Sequence, residues 1–366
     1  MIVGVFYKLQ EGVSLFFAWS IGKPARDLMS NLVPDMEWTM KRRHILKISG
    51  AFFLALIGKT SGFAETKPLN PPVTLTVGYQ KVGHLAPMNL ISDELKQQGV
   101  DLKRIEFARY ADARTALLAG SLDVASVGPA DLAISLANGS TSMIGIMGVG
   151  SSPKYVIAKT GTKFDSWDDI KGKKIAIAPG SAVWFQYAAT LIEKGLPYNS
   201  FSAVNIQGGG GNFDQALEKG EVDAIVTWET FESIPVMKGY GYFATNLDYS
   251  QSKSVGAELG MIAANKQAAV EKRAAVERFV TAYVSKMKAL EASPKEFAAA
   301  IALLTGLDAN VSAEIAKVIK LGPVITPDQL KRQAKAFNEL GVIPKDVSGE
   351  IEPYWDSSFL AIAAKR

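Results

Sequence analysis

From residue 73 onward, apolar positions fall into short alternating runs separated by stripes at helical spacing. Val73–Tyr79 (VTLTVGY) alternates and is rich in β-branched residues, which predicts a strand. A helix is expected over 88–97, a strand over 102–107 and a helix over 112–119. Residues 123–128 form a further strand pattern running into Pro129, which suits the first turn of a helix reaching Asn138. Apolar strands follow at 143–147 and 155–158. A second series has strands at 174–178, 201–206 and 222–227, with helices over 182–194, over 212–219 and after Glu229. Strands alternating with helices of this length predict parallel sheets covered by helices, an α/β class.

Beyond Lys253 the pattern is helical. Val276, Phe279, Val280, Tyr283, Val284, Met287 and Leu290 make an apolar stripe that must dock on something. Further helices are expected over 294–304, 312–319 and 327–339, completing a lobe because they are too small for a core of their own. One internal repeat stands out. Ala116-Leu117-Leu118-Ala119-Gly120-Ser121-Leu122-Asp123 returns 100 residues later as Ala216-Leu217-Glu218-Lys219-Gly220-Glu221-Val222-Asp223. Both read A-L-x-x-G-x-[LV]-D, a helix ended by a left-handed glycine and a strand opened by aspartate. Their equivalent positions in the two series favour two similar lobes.

The residues from Met40 read as an export signal. Lys41, Arg42, Arg43 and Lys47 precede a short apolar stretch, and Gly62-Phe63-Ala64 offers a small residue at the cut. Arg42-Arg43 also looks like a twin-arginine signal, although Lys41 stands where Ser or Thr is usual. Residues 1–39 are then expected to be a non-native upstream extension, residues 40–64 the signal, and Glu65 the mature start. The rival is an uncleaved, membrane-associated leader that includes residues 13–21.

Composition narrows the chemistry. The chain has 366 residues, no Cys and two His, so disulfides, thiolate zinc sites and cysteine nucleophiles are excluded, and no metal or other cofactor is expected. The net charge of +4 would point to an anionic polymer as partner if it were spread over the fold. It is not. The residues before Glu65 hold eight Lys/Arg and four acids, which leaves 32 of each sign in the mature chain. The basic balance belongs to the leader, and no nucleic-acid partner is expected.

Open parallel sheets bind ligands where strand ends meet helix starts. Five such places carry polar or aromatic groups. Gly78-Tyr79-Gln80-Lys81-Val82-Gly83-His84 supplies the stacking surface of Tyr79, the amide of Gln80, the charge of Lys81 and the lone mature histidine, His84. Gly128-Pro129-Ala130-Asp131 opens a helix, where Asp131 serves the helix dipole or recognises a ligand donor. Gly180-Ser181 with Trp184 places a hydroxyl at a helix start beside an indole; Ser181 reads equally as N-cap and ligand contact. The run Gly208-Gly209-Gly210-Gly211 before Asn212 is neither a P-loop nor a Rossmann fingerprint. It reads as a turn with an Asn N-cap or as a close backbone approach to ligand through Gly209. Trp228-Glu229 ends the last strand of the second series. There is no G-x-S-x-G nucleophile elbow and no outstanding carboxylate pair, so no catalytic residue is expected.

The order of Gly78-Tyr79-Gln80-Lys81, the stretch from Ala116 to Asp131, Trp167-Asp168-Asp169-Ile170-Lys171-Gly172-Lys173-Lys174, Gly180-Ser181 and the stretch from Gly220 to Glu229 resembles the periplasmic substrate-binding proteins of ABC importers. The likeness is to the nitrate/sulfonate/taurine group, also called thiamine-pyrimidine-synthase-like. It implies a two-lobed type II periplasmic-binding-protein-like fold with ligand in the cleft. Lobe one would be 73–154 plus 254–366 and lobe two 155–253, with the C-terminal helices on lobe one. It also implies binding without chemistry, the lobes closing over a small-molecule ligand that a permease and its ATPase import. The receptor is expected to be a periplasmic monomer. Asp131 and Glu229 would repel a dianion, so the expected ligand is a small organic anion or zwitterion, sulfonate- or taurine-like. Its acidic end would lie near Ala130 and Ser181. Nitrate or a neutral heterocycle is the lesser expectation. An enzyme on the same fold, disfavoured without Cys, and a receptor feeding a membrane sensor are the rivals.

Overall fold

The structure, a computed structural model, describes residues 67–365 and, upstream, the backbone of residues 2–9 and 12–19. Strands β1 (Ile2–Leu9) and β2 (Gly12–Trp19) pair antiparallel, Ile2 opposite Trp19. The expected signal at 40–64 lies outside the described residues.

Ten further strands form two sheets. In chain order they are β3 (Val73–Tyr79), β4 (Val100–Glu106), β5 (Val124–Val127), β6 (Met143–Ser151), β7 (Tyr155–Lys159), β8 (Lys174–Ile177), β9 (Ser202–Asn205), β10 (Ala224–Ile225), β11 (Gly241–Asp248) and β12 (Glu258–Asn265). The first sheet runs β4-β3-β5-β12-β6 and the second β11-β7-β10-β8-β9. The chain therefore passes between the sheets twice, before β7 and before β12. These crossings are tied together: Ser152 N–H donates to Ala257 O at 3.1 Å and Tyr249 N–H to Lys154 O at 2.9 Å.

The sheets are mixed rather than parallel. β3 is parallel to β4 and β5, and β8 to β9 and β10, but β12 runs against β5 and β6, and β7 against β10 and β11. β11 and β12 escape the sequence reading. All eight residues of β12 (ELGMIAAN) are buried, so it has no alternation to betray it beside the helical C-terminal run.

Period-two geometry sends alternate residues of the second sheet to opposite faces. Val156, Ala158, Ile175 and Ile177 meet Val183, Tyr187 and Leu191 of the helix Ala182–Glu193. Ile157, Ala176 and Ile225 meet Phe213, Ala216 and Leu217 of the helix Gly211–Lys219. In the first sheet, Leu75 and Val77 share a core with the stripe of the helix Arg273–Glu291 and with Phe297, Ile301 and Ile315. Val127 and Met261 pack instead with Leu330, Ala334 and Phe337 of the helix Pro327–Glu339.

The internal repeat is one device used twice. Gly120 and Gly220 adopt φ values of 74° and 73°. Gly120 N–H donates to Leu117 O and Ser121 N–H to Ala116 O; Gly220 and Glu221 do the same to Leu217 O and Ala216 O. The aspartates then bind the neighbouring strand. The carboxylate of Asp123 accepts from Thr76 N–H in β3, and that of Asp223 from Lys174 N–H in β8, each at 2.8 Å. The same turn thus fixes a helix-to-strand corner beside the central parallel pair of each sheet.

Candidate functional site

The strand-end loops of the two sheets meet around one cavity, lined from the first sheet by Gln80, Val82, Arg109, Tyr110, Gly128 and Asp131, and from the second by Gly180, Ser181, Val183 and Trp228. Lys154, in the first crossing, and Glu258 and Leu259, which open β12, complete the lining. It encloses about 110 Å³, room for several waters or one small organic molecule. Contacts run between the loops of the two sheets. Gly83 N–H donates to Thr230 Oγ1 at 3.0 Å, and Arg109 Nη1 to Gln207 Oε1 at 3.4 Å. A Cβ on Gly128 would stand 3.3 Å from Asp131 Oδ2, tight against the carboxylate that accepts its N–H, and at ordinary contact distance, 3.6 Å, from Ala182 Cβ.

Local structure explains which side chains reach the cavity. Gln80 is buried; its Oε1 accepts from Ser126 Oγ at 2.5 Å while Nε2 donates to Arg109 O at 3.4 Å, which fixes the amide. Asp131 begins the helix Asp131–Ala137, accepts Gly128 N–H at 2.7 Å and pairs with Arg114. It therefore serves the corner itself, and that corner's Gly128 N–H is already occupied. Ser181 caps the helix Ala182–Glu193 by accepting Trp184 N–H at 3.3 Å. Trp228 stands edge-on to Phe213 and Phe231, with ring centroids 5.9 and 5.8 Å away.

Six of the fourteen expected contacts line this cavity: Gln80, Gly128, Asp131, Gly180, Ser181 and Trp228. The other eight sit elsewhere for identifiable reasons. Tyr79 shares the alternate face of β3 with Leu75 and Val77 and lies under Arg104, 5.8 Å from its ring. Lys81 is half-exposed and paired with Glu106 at 3.0 Å. His84 is buried behind the wall, its Nε2 2.5 Å from Tyr110 Oη; burial and the charge of Lys154 push it down to about 3, so it stays neutral. Pro129 and Ala130 are buried in the turn before Asp131. Trp184 packs on Phe185 and Tyr198, ring centroids 4.9 and 5.8 Å away. Gly209 is outside the lining, and the glycine run answers to packing: a Cβ on Gly210 would fall 2.0 Å from the Phe231 ring. Gly210, not Asn212, is the N-cap of the helix that follows, while Asn212 Nδ2 donates to Gln207 O at 2.7 Å. Glu229 is buried, with Oε1 accepting from Ser233 Oγ at 2.8 Å.

The sequence reading missed Arg109, Tyr110, Lys154 and Glu258. The first two follow β4, so the strand-end rule would have found them had it been applied there. Lys154 and Glu258 gain their positions only from the crossings, which no local pattern marks. Among the described residues no cluster of three or more His, Asp or Glu could hold a metal.

The family model described as NMT1/THI5 like matches residues 95–297, more than half of the chain. Among solved structures, the alkanesulfonate-binding protein SsuA from Xanthomonas axonopodis pv. citri, bound to MOPS, is 19% identical. It superposes with a TM-score of 0.67 over 78% of this chain and 99% of its own. The periplasmic nitrate-binding protein NrtA from Synechocystis PCC 6803 is 13% identical, with a TM-score of 0.64 over 80% of this chain and 89% of its own. The desulfurization enzyme DSZB is 14% identical, with a TM-score of 0.58 over 80% of this chain and 99% of its own. At these identities the likeness is one of fold. No curated protein matches the sequence.

Proposed function

The chain belongs to the NMT1/THI5-like family, and from that premise we propose that it is the exported solute receptor of an ABC importer. Its fold is that of periplasmic solute-binding proteins. The observation that carries the reading is the cavity between two sheets whose strand-end loops both line it, with only two short crossings joining them. Contacts made from both sides to one ligand exist only when the cleft is closed, so binding favours closure, and the closed form is what a permease would recognise.

The lining favours a small organic anion with an apolar body. Lys154 supplies positive charge, Arg109 being paired with Asp112 at 3.0 Å, while Val82, Val183, Trp228 and Leu259 supply apolar surface that nitrate alone would not use. A zwitterion such as taurine fits less well. Asp131 is occupied by Arg114 and Gly128, Glu258 accepts from Gln329 and Gln333, and Glu229 is off the lining. A second reading, an enzyme on this fold, draws on the likeness to the desulfurization enzyme.

A thermal-shift screen over alkanesulfonates, taurine, nitrate, carboxylates and pyrimidines tests this. A true ligand at 100 times its dissociation constant should stabilise the protein by about 2.7 kcal/mol. Failure of the whole panel contradicts the receptor reading, and recovery of a chemically altered ligand favours the enzyme.

A further inference from the structure

Lys154 lies in the first crossing and is fully buried, yet it belongs to the cavity lining. Its Nζ donates to Ser152 Oγ at 3.1 Å, and among the described residues no carboxylate oxygen lies within 4.0 Å to form an ion pair with it. Buried charges are ordinarily paired, and an ammonium held in the interior without a close counter-ion is costly. The cavity that Lys154 lines is a place from which an anion can supply that partner.

Acidic groups surround this lysine at longer range. Glu229 and Glu232 follow β10, Asp248 ends β11 and Glu258 opens β12; the fields of all four act on Lys154. Glu229, Glu232 and Glu258 are almost wholly buried, and Glu229 Oε2 has no hydrogen-bond partner. From the first sheet's corners His84 and Tyr110 face the same region, and Tyr249 donates to Glu232 at 3.3 Å.

Resting on the receptor reading above, we propose that Lys154 binds the anionic group of the ligand, and that the buried groups around it take up a proton as the anion arrives. The sign follows from electrostatics. Burial pushes the carboxyls of Glu229 and Glu258 up to about 7 and raises that of Glu232 as well, while burial pulls the Lys154 ammonium down. A new negative charge beside Lys154 raises all of these affinities for protons together. His84 stays neutral and the hydroxyls of Tyr110 and Tyr249 stay protonated, because burial moves them away from neutrality. Protons are therefore taken up on binding, and affinity falls as pH rises, by up to about tenfold per pH unit for each proton coupled.

Titration calorimetry on the full chain with butane-1-sulfonate tests this, since a sulfonate keeps its charge across the range. Run at about pH 6, 7 and 8 in buffers of different ionisation heat, it should show proton uptake and roughly a tenfold loss of affinity between the extremes. K154M should weaken binding at least about thirtyfold at neutral pH. E229Q, a near-isosteric change that keeps the fold, should reduce the proton uptake. A flat pH profile, or binding by K154M within about threefold of the parent, overturns the inference and leaves the receptor reading standing. Absence of butane-1-sulfonate binding by the parent overturns it as well, whereas the receptor reading falls only if the whole panel fails.

Discussion

Asp131→Ala is expected to lower the free energy of unfolding by about 3 kcal/mol, and Asp131→Asn by roughly half as much. The residue is 4% exposed and its carboxylate does two jobs. It pairs with Arg114 and accepts the Gly128 N–H at 2.7 Å. Alanine leaves the guanidinium without its counter-ion and a buried backbone donor without an acceptor, at a corner that lines the cavity. Asparagine keeps an acceptor for Gly128 but gives up the charge, hence the smaller loss. Urea denaturation of the two variants checks the order. A cost for alanine under about 1 kcal/mol would mean that Arg114, whose side chain is 20% exposed, swings into water and finds its partners there.

Trp228→Ala is expected to weaken the best ligand of the screen roughly fiftyfold, about 2–3 kcal/mol, with the loss appearing mainly as faster dissociation. The indole lines the cavity and is held edge-on by Phe213 and Phe231, so little freedom is lost when a ligand packs on it. Trp184→Ala gives the internal control. Trp184 packs on Phe185 and Tyr198 outside the cavity lining, so its loss should lower stability and leave affinity within about threefold. Equal effects of the two tryptophans on affinity would misplace the site.

The alternation of strand and helix is plainly legible in this sequence, and β3 and the helix Pro327–Glu339 fall where the pattern puts them. Two strands, β11 and β12, are not legible: β12 is fully buried and carries no period to distinguish it from buried helix, and β11 (GYFATNLD) mixes buried and exposed positions without a clean alternation. The site divides similarly. Gln80, Ser181 and Trp228 are found by the strand-end rule, since that rule rests on where open sheets leave backbone groups and space. Tyr79 and Lys81 fail by facing: a residue beside a strand end still obeys the pleat, and these two turn toward the helix-covered face and toward Glu106. Lys154 is invisible as one lysine between two strands. Only the topology turns it into a buried lysine in the lining of the cavity.

Capture by cleft closure is tested most directly by a distance measured across the cleft. The absence of cysteine allows spin labels at Lys103→Cys in β4 and Lys219→Cys, both exposed positions, without removing native thiols. With the best ligand of the screen at saturation, the interspin distance distribution should narrow and shorten by an amount on the order of several ångströms, and the ligand should be recovered unchanged. A distribution that stays the same while calorimetry reports binding would contradict closure as the mechanism.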